Sequence, residues 1–531
     1  MACCTPQRMA TAEAPVPLQS RPPWPYRCLR WFFGFLTNIW FREISVVDDE
    51  YLPNDAGVVF VSWHPNGLID PMLMTAQLPY HLNTFVQHRA FDLPLVSKLT
   101  RNAGLISLRQ FPASARQRNA TLLHEAAMRV ARGGHLLMFP EEASHGEAGV
   151  QRVRSGVARV MLAACLEASA NGRPLPYLVP VGLHYSDSHQ FRERAALVFE
   201  RPMALPPLPE SGQHGDEASV HREWVVRLTE AIQVELSRAS HSTTSWTERT
   251  LIWKGRSIVY AEKKRAVGQP LAKPTYADSV LGARRLRAGW EFMHQHDSET
   301  TEDLARECED HFQSLDHRRI SPLDVDTRPT TLSPATLVRL VLMWLWAAVW
   351  MLGLVTWGAI IGNYVPYKAT GVVDRIVARF NDDDSLRGSM KVITALVLFP
   401  LWWLLLSGWL TYTMLGETSG VRVAMASHWL LVHLTTLPPA GLFLAFLIAW
   451  PLAARGHLRL YARLSDATQS LRRWRRWRDE TKDWDQLVQT QRHLAQRLVG
   501  LGTNLVLPGD EDWVDPPSGQ DDASMVRVRT A

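Results

Sequence analysis

Three long apolar runs, 340–365, 392–413 and 424–450, constrain this chain most, because each approaches or exceeds the roughly 20 residues that a helix needs to cross a bilayer. Residues 1–333 read as mostly soluble. A chain divided in this way is expected to be membrane-embedded, with an α-helical membrane region over 334–452. The 21 tryptophans, several of them at the ends of the apolar runs, suit interfacial belts. After the last run, "LRRWRRWRDE" belongs to a basic, helix-prone tail over 453–507. Residues 1–22 and 508–531 read as disordered.

At 531 residues the chain exceeds what one core can organise, so a catalytic-sized domain plus further regions is expected. The formal net charge of +5 is modest, and the basic residues bunch towards the C-terminus. That distribution points to a lipid bilayer as the acidic partner and away from nucleic acid. Five cysteines without CxxC spacing argue against zinc or any other metal centre and against a disulfide framework. The compartment is therefore expected to be reducing. No secretory leader pattern opens the chain, and no glycine-rich loop of the Walker or dinucleotide type occurs, which disfavours ATP and NAD. A transporter would need more spans and a smaller soluble part.

Tyr26 to Ile44 is apolar and aromatic with arginines near either end, and an interfacial membrane helix is expected over 23–45. From 57 to 200 the runs "GVVFVS", "LNTFV", "GLISL", "HLLMF", "YLVPVGL" and "AALVF" read as strands alternating with amphipathic helices, one of which ends on Gly133-Gly134. Such alternation predicts an α/β sheet with the site in loops at the strand C-termini. Residues 205–333 are polar and strandless and read as a helical region.

Four strand-end segments carry the candidate chemistry. "HPNGLID" sets His64 and Asp70 six positions apart. A carboxylate on one imidazole nitrogen would fix the tautomer that lets the other take a proton from an alcohol. The alternative is that Asp70 only N-caps a helix that Pro71 begins, and the two roles are compatible if one oxygen caps. "GLISLR" ends a strand on Arg109, suited to bidentate capture of phosphate. "FPEEASH" supplies Glu141, Glu142, Ser144 and His145, and "VPVGL" places Pro180 inside an apolar strand, a sign of an edge or of a bulge near a site. Nothing resembles a G-x-S-x-G nucleophile elbow, so direct attack with His64 as base is favoured over an acyl-enzyme.

In order and in content these four segments resemble the blocks of the glycerol-phosphate acyltransferase superfamily. Five residues separate His64 from Asp70 where four are usual, and Glu142 stands in place of a glycine. The H-P-N first block and the Ser144-His145 ending resemble the fungal-type glycerol-3-phosphate and dihydroxyacetone-phosphate acyltransferases, and the likeness covers about residues 40–325. The resemblance implies an α/β acyltransferase domain over 46–204, followed by a helical extension and the membrane region. It implies transfer of a fatty acyl group from acyl-CoA or acyl-carrier protein to glycerol-3-phosphate, dihydroxyacetone phosphate or a lysophospholipid, with no cofactor. His64 would be the general base and Asp70 its orienting partner. Arg109 and Glu141 would bind the acceptor, with Asn66, Ser144 and His145 of the same blocks, while Pro180 and Val181 would lie along the acyl chain. A catalytically inactive membrane scaffold of the same fold is the rival reading.

A donor in the cytosol requires the acyltransferase domain to face the cytoplasm. Lys368, Arg375, Arg379, Arg387 and Lys391 follow the first apolar run, whereas only Arg422 lies between the second and third. With the basic tail also held inside, the second and third runs are expected to span while the first enters and leaves on one side.

Overall fold

The structure, a computed structural model, describes residues 22–87, 105–108, 114–141, 143–187, 189–209, 217–268, 273–325, 338, 341–346, 349, 353–380, 385–416, 419–428, 431–479 and 481–529, in places by the backbone alone. Arg109 and Glu142 therefore lie outside the described residues. The chain divides into two compact units, one made of Met1–Asp187, Phe191–Thr244 and Val514–Met525, the other of Ser188–Gln190, Ser245–Trp513 and Val526–Ala531.

The first unit is built on a seven-stranded sheet of β1 (Glu43–Val47), β2 (Val58–Ser62), β3 (Leu82–Gln87), β4 (Leu105–Leu108), β5 (His135–Met138), β6 (Tyr177–Tyr185) and β7 (Arg194–Phe199). Its order is β1-β7-β6-β2-β5-β3-β4. Strands β2 to β6 are parallel, whereas β7 runs antiparallel to β6 and takes β1 beside it. Every residue of β2 and of β5 is buried, which is why these strands read as unbroken apolar runs instead of alternating ones.

One face of the sheet is covered by α3 (Ser114–Ala131), α4 (Gly156–Ala170) and α5 (Glu217–Ala239), packed through Val59, Val61, Leu136, Val157, Met161, Leu228 and Ile232. Helix α3 ends as its glycines predict: Gly133 takes φ +90°, and its N–H bonds back to the carbonyl of Val130. Helix α5 belongs to this unit, so the expected helical region 205–333 is divided between the two units.

Helix α1 (Trp24–Trp40) packs against α2 (Ile69–Gln77) and anchors through the Tyr26 hydroxyl, which donates to the carbonyl of Tyr80 at 2.8 Å. Tyr26, Thr37 and Trp40 are buried, while Trp24, Trp31 and Phe35 on the outer side are 65%, 71% and 51% exposed. The helix is shorter than expected. Residues Glu43–Val47 leave it to become the edge strand β1, a short strand hidden in the sequence beside a long aromatic segment.

The C-terminus corrects another expectation. Within 508–531, the segment Val514–Met525 folds onto the first unit: Ala204 N–H donates to Ser518 Oγ at 2.8 Å, Gly519 N–H donates to Glu235 Oε1 at 3.0 Å, and Asp522 is buried. In the second unit, β8 (Leu505–Val506) pairs with β9 (Arg527–Val528). Long-range contacts of this kind leave no trace in local composition, which is polar and proline-rich here.

The second unit contains a helical bundle of α6 (Trp246–Ala266), α7 (Tyr276–His296), α8 (Ser298–Arg318) and, from the tail, α13 (Thr481–Leu501), with Ile258, Leu304, Phe312, Trp484 and Leu498 in its core. Ser245, Thr275 and Asp297 cap the first three helices by accepting from the N–H of Glu248, Asp278 and Thr300.

Beyond the bundle lie α9 (Leu354–Phe380), α10 (Ser385–Leu415), the short α11 (Gly420–Ala426) and α12 (Pro439–Asp479). Two stretches, Arg387–Leu415 and Pro439–Ala462, are long and apolar enough to cross a membrane. The third apolar run is not one helix, since α12 begins only at Pro439, where a proline at the first position costs no intrahelical bond. Helix α12 then runs on for 41 residues, so the end of that run and the start of the basic tail form one rod.

These helices are not three parallel uprights. Trp402 Nε1 donates to Ile361 O at 3.0 Å and Arg387 pairs with Asp374 at 2.9 Å, which sets α10 antiparallel to α9. Asn363 Nδ2 donates to Trp450 O at 3.2 Å and Thr356 Oγ1 meets His457 Nδ1 at 3.5 Å, which sets α12 antiparallel to α9 as well. Trp450 Nε1 donates to Ser407 Oγ at 3.0 Å, and Leu410 and Met414 cluster with Leu442 and Phe446, which sets α10 and α12 antiparallel to each other. Three straight rods cannot all be antiparallel to one another, so they cross obliquely.

Candidate active site

His64 follows β2 by two residues, and the turn from there to α2 closes on Asn66, whose carbonyl accepts the N–H groups of Ile69 at 2.9 Å and Asp70 at 3.3 Å. Asp70 is not the N-cap: the helix begins at Ile69, and Asp70 lies in its first turn. Its carboxylate points back into the turn. Oδ2 accepts the Asn66 N–H at 2.8 Å and meets His64 Nδ1 at 2.8 Å, and the Asp70 side chain is fully buried. A carboxylate has only acceptors to offer, so Nδ1 carries the proton and His64 Nε2 keeps its lone pair. The His64 ring is 16% exposed and stacks on Phe139 with ring centroids 4.2 Å apart. Five intervening residues, with Gly67 at φ +27°, still let the pair close.

The end of β5 supplies a second carboxylate, Glu141, likewise buried. Oε2 accepts the backbone N–H of His64 at 2.7 Å, while Oε1 accepts from His145 Nε2 at 2.7 Å and from the Gln151 N–H at 2.6 Å. His145 in turn donates its backbone N–H to the His64 carbonyl at 3.1 Å, and its Nδ1 accepts the Glu147 N–H at 3.3 Å. Both ring nitrogens of His145 are therefore engaged, with the proton on Nε2. Glu141 and His145 bind the two loops of the site to each other.

The structure thus brings His64, Asn66, Asp70, Glu141 and His145 together at the C-terminal ends of β2 and β5, with Ser144 half-buried on the same loop. Pro180 and Val181 lie deeper, buried in β6. Strand β6 is an interior strand, not an edge: Pro180 pairs with Val61 on one side, and on the other the ladder to β7 begins only at Val181 and Phe199. The Pro180 carbonyl accepts from Glu200 N–H at 3.0 Å, so the missing proline N–H forgoes one bond at the very end of that ladder.

One member of the cluster has no counterpart among the residues that the sequence pattern singles out. The hydroxyl of Tyr185, at the end of β6, donates to Asp70 Oδ1 at 2.5 Å. Its ring stacks on Phe41 with centroids 5.7 Å apart. Strand β6 outruns β2, whose last ladder partner is Val181, and the four further residues carry Tyr185 over the turn.

Chemically, the cluster offers a partly exposed imidazole, His64, backed by a buried carboxylate with three donors. An acyltransferase family profile matches residues 43–184, which run from β1 to the last residue but one of β6. Glycerol-3-phosphate O-acyltransferase 1 of Saccharomyces cerevisiae is 23% identical over 179 residues, 34% of this chain and 22% of that protein. An uncharacterized acyltransferase of Schizosaccharomyces pombe is 31% identical over 83 residues, 16% of this chain and 12% of the relative. The chain thus spans less than a quarter of the length of either. The 1-acyl-sn-glycerophosphate acyltransferase of Thermotoga maritima aligns with a TM-score of 0.27 and 14% identity, over 39% of this chain and 78% of that one.

Proposed function

We propose that this chain, whose residues 43–184 match an acyltransferase family profile, moves a fatty acyl group from a thioester donor, acyl-CoA or acyl-carrier protein, to a hydroxyl of glycerol-3-phosphate. The observation that carries this reading is the 2.8 Å bond between His64 Nδ1 and Asp70 Oδ2, which leaves Nε2 free at the mouth of the turn. In the reaction, Nε2 takes the proton of the acceptor hydroxyl as its oxygen attacks the thioester carbonyl. The resulting imidazolium is held by Asp70, the C–S bond breaks, and the departing thiolate recovers the proton from Nε2. No cofactor is required, since the thioester supplies the activation.

Arg109 is proposed to hold the acceptor phosphate, and Pro180 and Val181 to stand behind the wall along the acyl chain. The outward aromatic side of α1 and the apolar stretches of α10 and α12 suit attachment to a bilayer, with the acyltransferase domain on the cytoplasmic side where the donor is made.

The test is labelled acyl-CoA and acyl-carrier protein offered with glycerol-3-phosphate, dihydroxyacetone phosphate and lysophosphatidate in turn. The reading requires glycerol-3-phosphate to be acylated, with His64→Ala losing about 10²- to 10⁴-fold while its recovery in membranes stays normal. Acylation of another acceptor alone corrects the substrate, and the absence of transfer to any of them overturns the reading.

A further inference from the structure

We propose that Tyr185 is a positioning residue of the reaction, setting the basicity of His64 through Asp70. The inference rests on the proposed role of the His64–Asp70 pair. His64 and Asn66 sit on the turn between β2 and α2 and Asp70 in the first turn of α2, so the bonds among them stay within one short segment and do not by themselves tie it to the rest of the sheet. The Tyr185 hydroxyl comes from the end of β6, 115 positions further along the chain. It is the donor that ties the carboxylate to the sheet. The other oxygen of Asp70, Oδ2, already holds two donors at 2.8 Å. At 2.5 Å the Tyr185 bond to Oδ1 falls in the range of charge-assisted O–H···O⁻ contacts.

The consequence is electrostatic as well as geometric. Each donor to Asp70 shares its negative charge, and the charge left over is what stabilises the imidazolium formed when His64 takes a proton. The hydroxyl of Tyr185 therefore competes with that imidazolium for the charge of Asp70. Phe41, stacked on the ring, keeps the phenol in place without touching the hydroxyl.

Tyr185→Phe removes the donor and keeps the ring, and replacement of Tyr185 by 3-fluorotyrosine, a stronger donor of nearly the same size, moves the bond the other way. Full-length protein in native membranes should show the acid limb of kcat/KM moved to higher pH by about 0.5 or more in Tyr185→Phe, and to lower pH with fluorotyrosine. In the phenylalanine variant kcat should fall about tenfold, with both KM values within about twofold of native. A residue that only braces the fold would change melting temperature and leave both limbs in place, and that result overturns the proposal. If Tyr185→Phe does not fold, the fluorotyrosine profile decides alone: an unmoved acid limb overturns it. His64→Ala is assayed in parallel. Full activity in that variant would defeat the proposed function itself, whereas a dead His64→Ala with unmoved Tyr185 profiles defeats only the inference.

Discussion

The backbone N–H of His64 donates to Oε2 of Glu141 at 2.7 Å, across 77 positions of sequence. Glu141 thereby fixes the residue that bears the base, and its other oxygen, Oε1, is bonded to His145 and Gln151. Glu141→Gln keeps the shape but turns an NH2 group towards one of these donors. Loss of a hydrogen bond to a charged group costs about 1.5–3 kcal/mol, so kcat should fall roughly tenfold to a hundredfold. Steady-state kinetics check it: the acceptor KM should stay within about threefold, and a large rise in that KM alone would return Glu141 to the substrate site.

Asp70→Asn separates orientation from folding. An amide in place of the carboxylate can no longer accept from His64, Asn66 and Tyr185 together, and nothing then holds the proton on Nδ1. Turnover should fall by about 10²-fold or more, and single-turnover transfer measures it. A variant with a lower melting temperature but native turnover would reduce Asp70 to a turn-stabilising residue.

How much of this was legible in the sequence depended on the distance over which each feature is encoded. Strands β2 and β5 were readable because burial on both faces demands apolar runs such as "VVFVS" and "HLLM". Strand β1 was not, because a five-residue edge strand headed by Glu43 carries little pattern. The His64–Asp70 pair was readable because its partners share one turn. The identity of Glu141 as a site residue was readable too, but not the direction of its oxygens, which depends on where two loops meet. Tyr185 was invisible, since its role follows from how far β6 extends past β2, a property of register. The break in the apolar run 424–450 was legible at Pro438-Pro439, where the long helix starts afresh.

Acid stability follows from a residue at the other end of the sheet. His135, buried at the start of β5, has its pKa pushed down to about 4, mainly by burial and further by the charge of His81 beside it; Tyr80 packs on its ring at 4.4 Å. The unfolded chain takes up the proton near pH 6.5 and the folded one only near pH 4, so stability present above 6.5 is lost as the pH falls between those values. Each tenfold difference in proton affinity between the folded and unfolded chain is worth about 1.4 kcal/mol, so the loss amounts to roughly 3 kcal/mol. In His135→Phe this dependence should vanish, and unfolding curves followed by tryptophan fluorescence at about pH 4.5 and about pH 7 should lie closer together than in the native protein. Equal acid sensitivity in both proteins would remove His135 as the cause.

The membrane topology is decided by α9. If α9, α10 and α12 all crossed, the basic residues of the tail, among them Arg472, Arg473, Arg475 and Arg478, would face away from the acyltransferase domain, against the usual placement of arginine in the cytoplasm. Only the stretches Arg387–Leu415 and Pro439–Ala462, among the described residues, have the length and apolarity of a span. The end of α9 carries Asp374 paired with Arg387 at 2.9 Å and Lys391 at 3.1 Å, a charged cluster that belongs at an aqueous surface. On the proposed reading, two crossings would return the tail to the cytoplasmic side and leave the connection between α10 and α11 outside. With single cysteines placed at Ser385 and Ser419 in a cysteine-free background, an impermeant thiol reagent applied to intact cells should label position 419 and spare 385. Labelling at 385 but not at 419 would show that α9 spans, and would move the connection between α9 and α10 to the far side of the membrane.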